Sequence, residues 1–111
     1  MKYRVRITAT AKLEAEIAFN WIQEQSPTHA VNWFNGLVDA IERLSMFPAR
    51  WPLAIEDAYF AEEIRQMLYG KIPHVYRVLF TIRNNMVYVL HIRHGTRQGL
   101  EKDELIFPDE T

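Results

Sequence analysis

The sequence predicts an α+β fold in the order β-α-α-β-β-β, with a helical hairpin packed on one face of a small, mainly antiparallel sheet. Three features point there. Residues 2–8 alternate apolar and basic side chains, two amphipathic stretches follow with a Ser-Pro junction between them, and two β-branched, aromatic runs flank Asn84-Asn85.

In the first segment Tyr3, Val5 and Ile7 alternate with Lys2, Arg4 and Arg6, the period of a half-buried strand. Thr8 or Thr10 is placed to cap the helix after it by accepting a bond from a free backbone N–H. Leu13, Ile17 and Trp21 then recur every fourth residue, while Lys12, Glu16 and Asn20 can face water. The first helix is therefore expected to reach about Gln25 with that apolar stripe turned inward.

Ser26-Pro27 is a second start signal, an N-cap oxygen followed by a proline at a position where no helical N–H is lost. From there Ala30, Phe34, Leu37, Ile41 and Leu44 form one helix face, and Pro48 ends it. So short a connection makes an antiparallel hairpin. Its stripe could serve a coiled-coil partner, but strands follow, and burial on a sheet is the expectation. Trp33 lies off the stripe and either widens the core, as expected here, or meets a partner.

Residues 49 to about 60 hold Pro52 and no clear period, which reads as a loop anchored by Trp51. A strand over 64–69 ends at Gly70, and the stronger strands cover 75–82 and 86–94. Asn tolerates the positive φ of a two-residue hairpin turn, so Arg83 pairs with Met86 and the register follows. One face then carries Tyr76, Val78, Phe80, Ile82, Val87 and Val89, with His91 and Arg93 at its end, and should take the helices. The open face carries Arg77, Leu79, Thr81, Tyr88, Leu90, Ile92 and His94.

At 111 residues the chain is one domain, since separate cores need on the order of 100 residues each. Hydrophobic residues make up 49% of it, among them three Trp, five Tyr and six Phe, which supports a packed core and argues against disorder. It has no cysteine, so nothing points to an oxidising compartment. No signal-peptide pattern opens the sequence and no run approaches the roughly 20 apolar residues of a membrane span. A cytoplasmic protein without membrane contact is the expectation.

The net charge of −1 conceals an asymmetry. Between Ile64 and Leu100 there is no Asp or Glu, while Arg65, Lys71, Arg77, Arg83, Arg93 and Arg97 are present with His74, His91 and His94. A short acidic tail follows from about residue 101, with Glu101, Asp103, Glu104, Asp109 and Glu110 against Lys102. Such a division suggests an anionic partner or an acidic segment that covers the basic surface, against the plain reading of a solvated face.

Several of these residues together resemble a known family. Ser26-Pro27 with Ala30, and Leu44 with Pro48, are weak signals. The run Tyr76-Arg77-Val78-Leu79-Phe80 and the final stretch from Val89 through His91, Arg93, His94 and Gly95 to Arg97 are more specific. On these the chain is similar to the RelE/ParE superfamily of toxin and plasmid-stabilisation proteins, closer to its ParE-like branch. The resemblance spans nearly the whole chain.

It implies a toxin of a type II toxin–antitoxin pair, held inactive in a hetero-oligomer by a small antitoxin encoded beside it, with expected roles in growth inhibition and stress response. ParE-like members poison DNA gyrase, and RelE-like members cut messenger RNA on the ribosome. The fold cannot decide between them. Arg77 matches the family's arginine in the central strand and Arg97 the one past the last strand. Where the RelE ribonucleases carry two lysines, this chain has Arg65 and Met67, and their tyrosine beyond the final strand has no counterpart.

Read without the family, RNA cleavage needs proton transfer at the 2′-hydroxyl and the leaving oxygen, and cations against the developing charge. His94 could exchange protons near neutral pH, and Arg77 and Arg97 could hold the phosphate. This is the candidate catalytic set if the chain is a ribonuclease. His91 reads as a partly buried histidine at the core edge. The histidines form no zinc motif, and neither metal nor cofactor is expected.

The open face and basic segment give the expected partner contacts, namely Arg65, Arg77, Leu79, Leu90, Ile92, Arg93 and Arg97. A modest overall charge suits a protein target better than ribosomal RNA. Gyrase inhibition by binding is thus the leading expectation. The alternatives are a ribosome-dependent endoribonuclease and a non-toxic binding module of the same fold.

Overall fold

A computed structural model of the chain describes residues 2–95. The elements are β1 (Arg4–Ile7), α1 (Ala9–Gln25), α2 (Pro27–Glu42), β2 (Arg65–Lys71), β3 (His74–Arg83) and β4 (Met86–His94). They form one four-stranded sheet in the order β1-β4-β3-β2, with β1 parallel to β4 and the other pairs antiparallel. The α+β order and the helical hairpin on the sheet are as the sequence predicts.

Local chemistry sets the boundaries. Thr8 caps α1, its hydroxyl accepting from the Ala11 N–H at 3.2 Å. Ser26 caps α2 by accepting from the His29 N–H at 3.3 Å, with Pro27 in the first turn. Asn84 adopts φ 54° in the β3–β4 turn, the left-handed value that a two-residue connection needs.

The face that α1 buries is the opposite of the one expected. Ala11, Ala15 and Ile22 are its buried residues, whereas Leu13, Ile17 and Trp21 are 57%, 60% and 49% exposed. Leu13 follows Ala11 by two residues, about 200° around a helix of 3.6 residues per turn. The small side chains let the helix lie close against β4 and α2, and the larger ones are left outside. On α2 the expected stripe is buried at Ala30, Leu37, Ile41 and Leu44, and Trp33 joins it. Phe34 departs from the expectation; it is partly exposed and packs edge-on against Phe19.

The hairpin register begins as predicted, Arg83 opposite Met86 and Phe80 opposite Val89. It then shifts. Leu79 pairs with His91 rather than Leu90, so one extra residue sits in β4. A bulge of this kind moves every later side chain to the other face. Ile92 accordingly joins the helix-side core with Val78 and Phe80, and His94 falls opposite Tyr76. The expectation that Arg77 and His94 share the open face is therefore overturned. The bulged Leu90 carbonyl accepts from the Thr8 hydroxyl at 3.3 Å, which ties the start of α1 to the irregularity.

The supposedly open face is also covered. The segment between α2 and β2, expected as plain loop, contains short 3₁₀ turns at Pro48–Arg50 and Ile55–Tyr59. It crosses over the sheet and forms a second, smaller core in which Ala54 and Ile64 pack on Leu79 and Leu90, with Phe60 and Tyr88 at its margin.

Candidate functional site

The basic segment is largely matched from within the chain. The two terminal nitrogens of Arg77 donate to Glu56 at 3.0 and 2.6 Å, and its Nε donates to Gln66 at 2.9 Å. Glu56 is 1% exposed and Arg77 is 9% exposed. Arg65 donates to the Trp51 carbonyl at 2.6 Å and to Glu63 at 3.1 Å. Arg83 donates to Glu62 through Nε at 2.5 Å and a terminal nitrogen at 2.8 Å. Three strand arginines thus fasten the crossover segment to the sheet by charge-assisted and partly bidentate bonds. The hydrogen bond from Arg83 holds the Glu62 carboxyl below its ordinary pKa, against an opposing effect of burial.

This placement changes what the candidate residues can do. Leu79, Leu90 and Ile92, expected as partner contacts, are at most 4% exposed inside the two cores. They offer no surface to a partner. Arg93 is buried opposite Arg77 in the register. Arg97 and the acidic tail lie outside the described residues.

His94 lies elsewhere, in a groove between α1 and the ends of β3 and β4 with a volume of about 390 Å³. Ile17, Trp21, Tyr76 and Ile92 supply its apolar walls, with Glu14, His74, Arg93 and His94 among the polar ones. The His74 and His94 rings face each other with Nδ1 and Nε2 3.4 Å apart. Tyr76 packs edge-on against His94 and Trp21 against His74. Burial pushes the Tyr76 hydroxyl above its ordinary pKa, so it stays protonated across the physiological range.

Glu14 is a side chain of this groove that sequence reading missed. β1 stops at Ile7, opposite Val89, leaving the rest of β4 without a strand neighbour on that side. The Glu14 carboxylate takes that place. It accepts the Ile92 N–H at 2.9 Å and lies 3.1 Å from Nδ1 of His91, which donates when it carries the proton. A glutamate one turn into a helix gives no sequence sign that it will reach a strand almost 80 positions later.

Of the candidate catalytic set, Arg77 and His94 both line a cavity at the ends of β2, β3 and β4, and Arg97 lies outside the described residues. In the register Arg77 stands opposite Arg93 and His94 opposite Tyr76, so the two side chains leave the sheet on opposite faces, and Arg77 makes three side-chain hydrogen bonds. Among the described residues no group of three His, Asp or Glu side chains is arranged to hold a metal ion. None of their helices is long and apolar enough to cross a membrane.

A family model described as the ParE toxin of the type II toxin–antitoxin system parDE matches residues 5–99. The chain belongs to the ParE toxin family. The match runs from within β1 through the end of β4 and includes Arg77, His94 and Arg97. This ParE-family chain is also similar to a solved chain from the chromosomal ParDE toxin–antitoxin system of P. aeruginosa. The TM-score is 0.69 at 12% identity, covering 84% of this chain and 96% of that one. At that identity the likeness is one of fold. No curated protein matches the sequence. Family membership places the chain among the ParE toxins of type II toxin–antitoxin systems, and implies an antitoxin partner.

Proposed function

We propose that this ParE-family toxin inhibits DNA gyrase by binding and is neutralised by its cognate antitoxin. The observation that carries the reading is the state of Arg77. An arginine that stabilises a phosphorane must turn its charge to it, and this one is buried in a bidentate pair with Glu56, with a third bond to Gln66. Binding, which needs surface rather than a proton relay, is the function better served.

The surface that suits protein contact is on the helices. Leu13, Ile17 and Trp21 recur along the exposed side of α1, and bare apolar stripes of this kind usually mark interaction sites. Ile17 and Trp21 also wall the groove that ends at His94. In this reading an amphipathic antitoxin segment covers that stripe, and Arg97 is a further contact on the strength of its match in sequence.

Expression in bacteria tests the proposal. Expression of this chain alone should arrest growth with the DNA damage that trapped gyrase produces, and co-expression of the small protein encoded beside it should restore growth. Normal growth at verified expression would favour the non-toxic binding module. Arrest with codon-positioned cuts in ribosome-bound mRNA would favour the ribonuclease.

A further inference from the structure

Two imidazoles at the end of the α1 groove stand at the separation of two ligands on one metal ion. Nδ1 of His74 and Nε2 of His94 are 3.4 Å apart. A zinc–imidazole bond is about 2.0–2.1 Å long, so two of them at the tetrahedral angle hold their nitrogens about 3.3–3.4 Å apart. The right angle of an octahedral ion would bring the same nitrogens to about 3.0 Å. We propose that His74 and His94 form a two-ligand binding site for a tetrahedral divalent ion of the zinc class, with its other positions open to water.

The donor set selects the ion. Neutral imidazole nitrogen is a common ligand for zinc, whereas magnesium and calcium take oxygen donors. With Nδ1 of His74 and Nε2 of His94 turned to the metal, each ring keeps its proton on the other nitrogen.

The fold brings the pair together and holds it. The register shift between Leu79 and Phe80 places His94 opposite Tyr76, which puts its ring on the face that His74 and Tyr76 share. The strand ends are closed just beyond, where the Gly95 N–H donates to the Val75 carbonyl at 2.6 Å. A Cβ at position 95 would come within 2.9 Å of that carbonyl. Trp21 packs edge-on against the His74 ring at 5.9 Å between centroids, and Tyr76 against the His94 ring at 5.1 Å. Ligands fixed in this way by packing lose little freedom when a metal arrives.

The surroundings admit an ion and its water. His74 is exposed and His94 half-buried, and the groove of about 390 Å³ on which both border leaves room for water ligands. Of the charged side chains along it, Glu14 favours a dication and Arg93 opposes one. Among the described residues no third His, Asp or Glu joins the pair, so the site remains open and its ion exchangeable.

Titration of the untagged full chain with zinc chloride at about pH 7.5, where free imidazole is mostly neutral, tests the proposal. The imidazole resonances of a ¹⁵N-labelled sample report the four histidines separately. Those of His74 and His94, assigned through His74→Gln and His94→Gln, should move together and saturate, while those of His29 and His91 stay in place. Each of the two variants should weaken zinc binding by at least about tenfold, and His29→Gln should leave it unchanged. Magnesium chloride should move neither resonance. His74 is exposed, so His74→Gln is expected to keep the parent's Tm. Failure of both resonances to move at millimolar zinc would overturn the assignment. So would movement of His29 at the same zinc concentration as the pair, or a folded His74→Gln chain that binds zinc as tightly as the parent.

Discussion

The guanidinium of Arg77 and the carboxylate of Glu56 meet in a buried bidentate pair, one from the middle of the central hairpin and the other from a 3₁₀ turn 21 positions earlier. This bond closes the crossover segment over Leu79 and Leu90 and removes both charges from solvent. A buried pair of this kind is costly to break from one side, because the remaining charge has no water to turn to. Arg77→Ala should therefore destabilise the fold by about 3–5 kcal/mol. In urea unfolding, Arg77→Ala combined with Glu56→Ala should lose clearly less than the sum of the single variants. Additive losses would show that the two side chains act separately.

The Arg83–Glu62 pair makes acid stability measurable. Because the Arg83 guanidinium holds the Glu62 carboxyl below the ordinary glutamate value of 4.5, the unfolded state binds its proton more readily than the folded state. Its contribution is present above about pH 4.5 and is lost as pH falls through the lower folded value. Glu62 is about one-third exposed, so solvent screening keeps the effect small. Glu62→Gln should lower stability slightly at pH 7 and flatten the decline of Tm on acidification below pH 4.5. An unchanged pH profile in the variant would contradict the assignment.

Two faces of α1 should respond differently to substitution. Ala15→Leu, against the packed side, should cost about 1–3 kcal/mol through overpacking. Ile17→Lys, on the exposed side, should change stability by no more than about 0.5 kcal/mol yet weaken antitoxin binding. Trp21→Ala should reduce antitoxin affinity by about 2 kcal/mol or more if it is an anchor of that interface. Titration calorimetry against the antitoxin checks both; unchanged affinity would place the antitoxin on another surface.

Much of this architecture was legible because strand and cap chemistry is local. The alternation at Tyr3, Val5 and Ile7, the Ser26-Pro27 start and the Asn84-Asn85 turn act over a few residues each, and all three stand as predicted. What escaped depends on contacts far apart in sequence. Leu13, Ile17 and Trp21 make a convincing inward stripe until the competing face of Ala11, Ala15 and Ile22 is set against β4, where small side chains allow closer packing. The bulge at Leu90 leaves no mark in the residue types, yet it sends Ile92 and His94 to the other face. The basic stretch beyond Ile64 suggested an external anion because its acids, Glu56, Glu62 and Glu63, fall just outside it.

His94 separates binding from cleavage. If the chain acts by binding gyrase, His94→Ala should leave growth arrest close to that of the parent chain, since no proton transfer is required. The variant's fold can be verified by circular dichroism. A folded variant that has lost toxicity, together with mRNA cuts made by the parent and absent with the variant, would identify His94 as a general acid or base.

Action of this ParE-family chain on gyrase, as proposed, can be read in a supercoiling assay with purified components. Relaxed plasmid, gyrase and ATP are incubated with increasing amounts of the toxin, with and without a molar excess of antitoxin. Supercoiling should fall as toxin is added, cleaved plasmid should accumulate once gyrase is denatured, and antitoxin should reverse both effects. Full supercoiling at a large excess of folded toxin, with no cleaved plasmid, would rule out gyrase as the target.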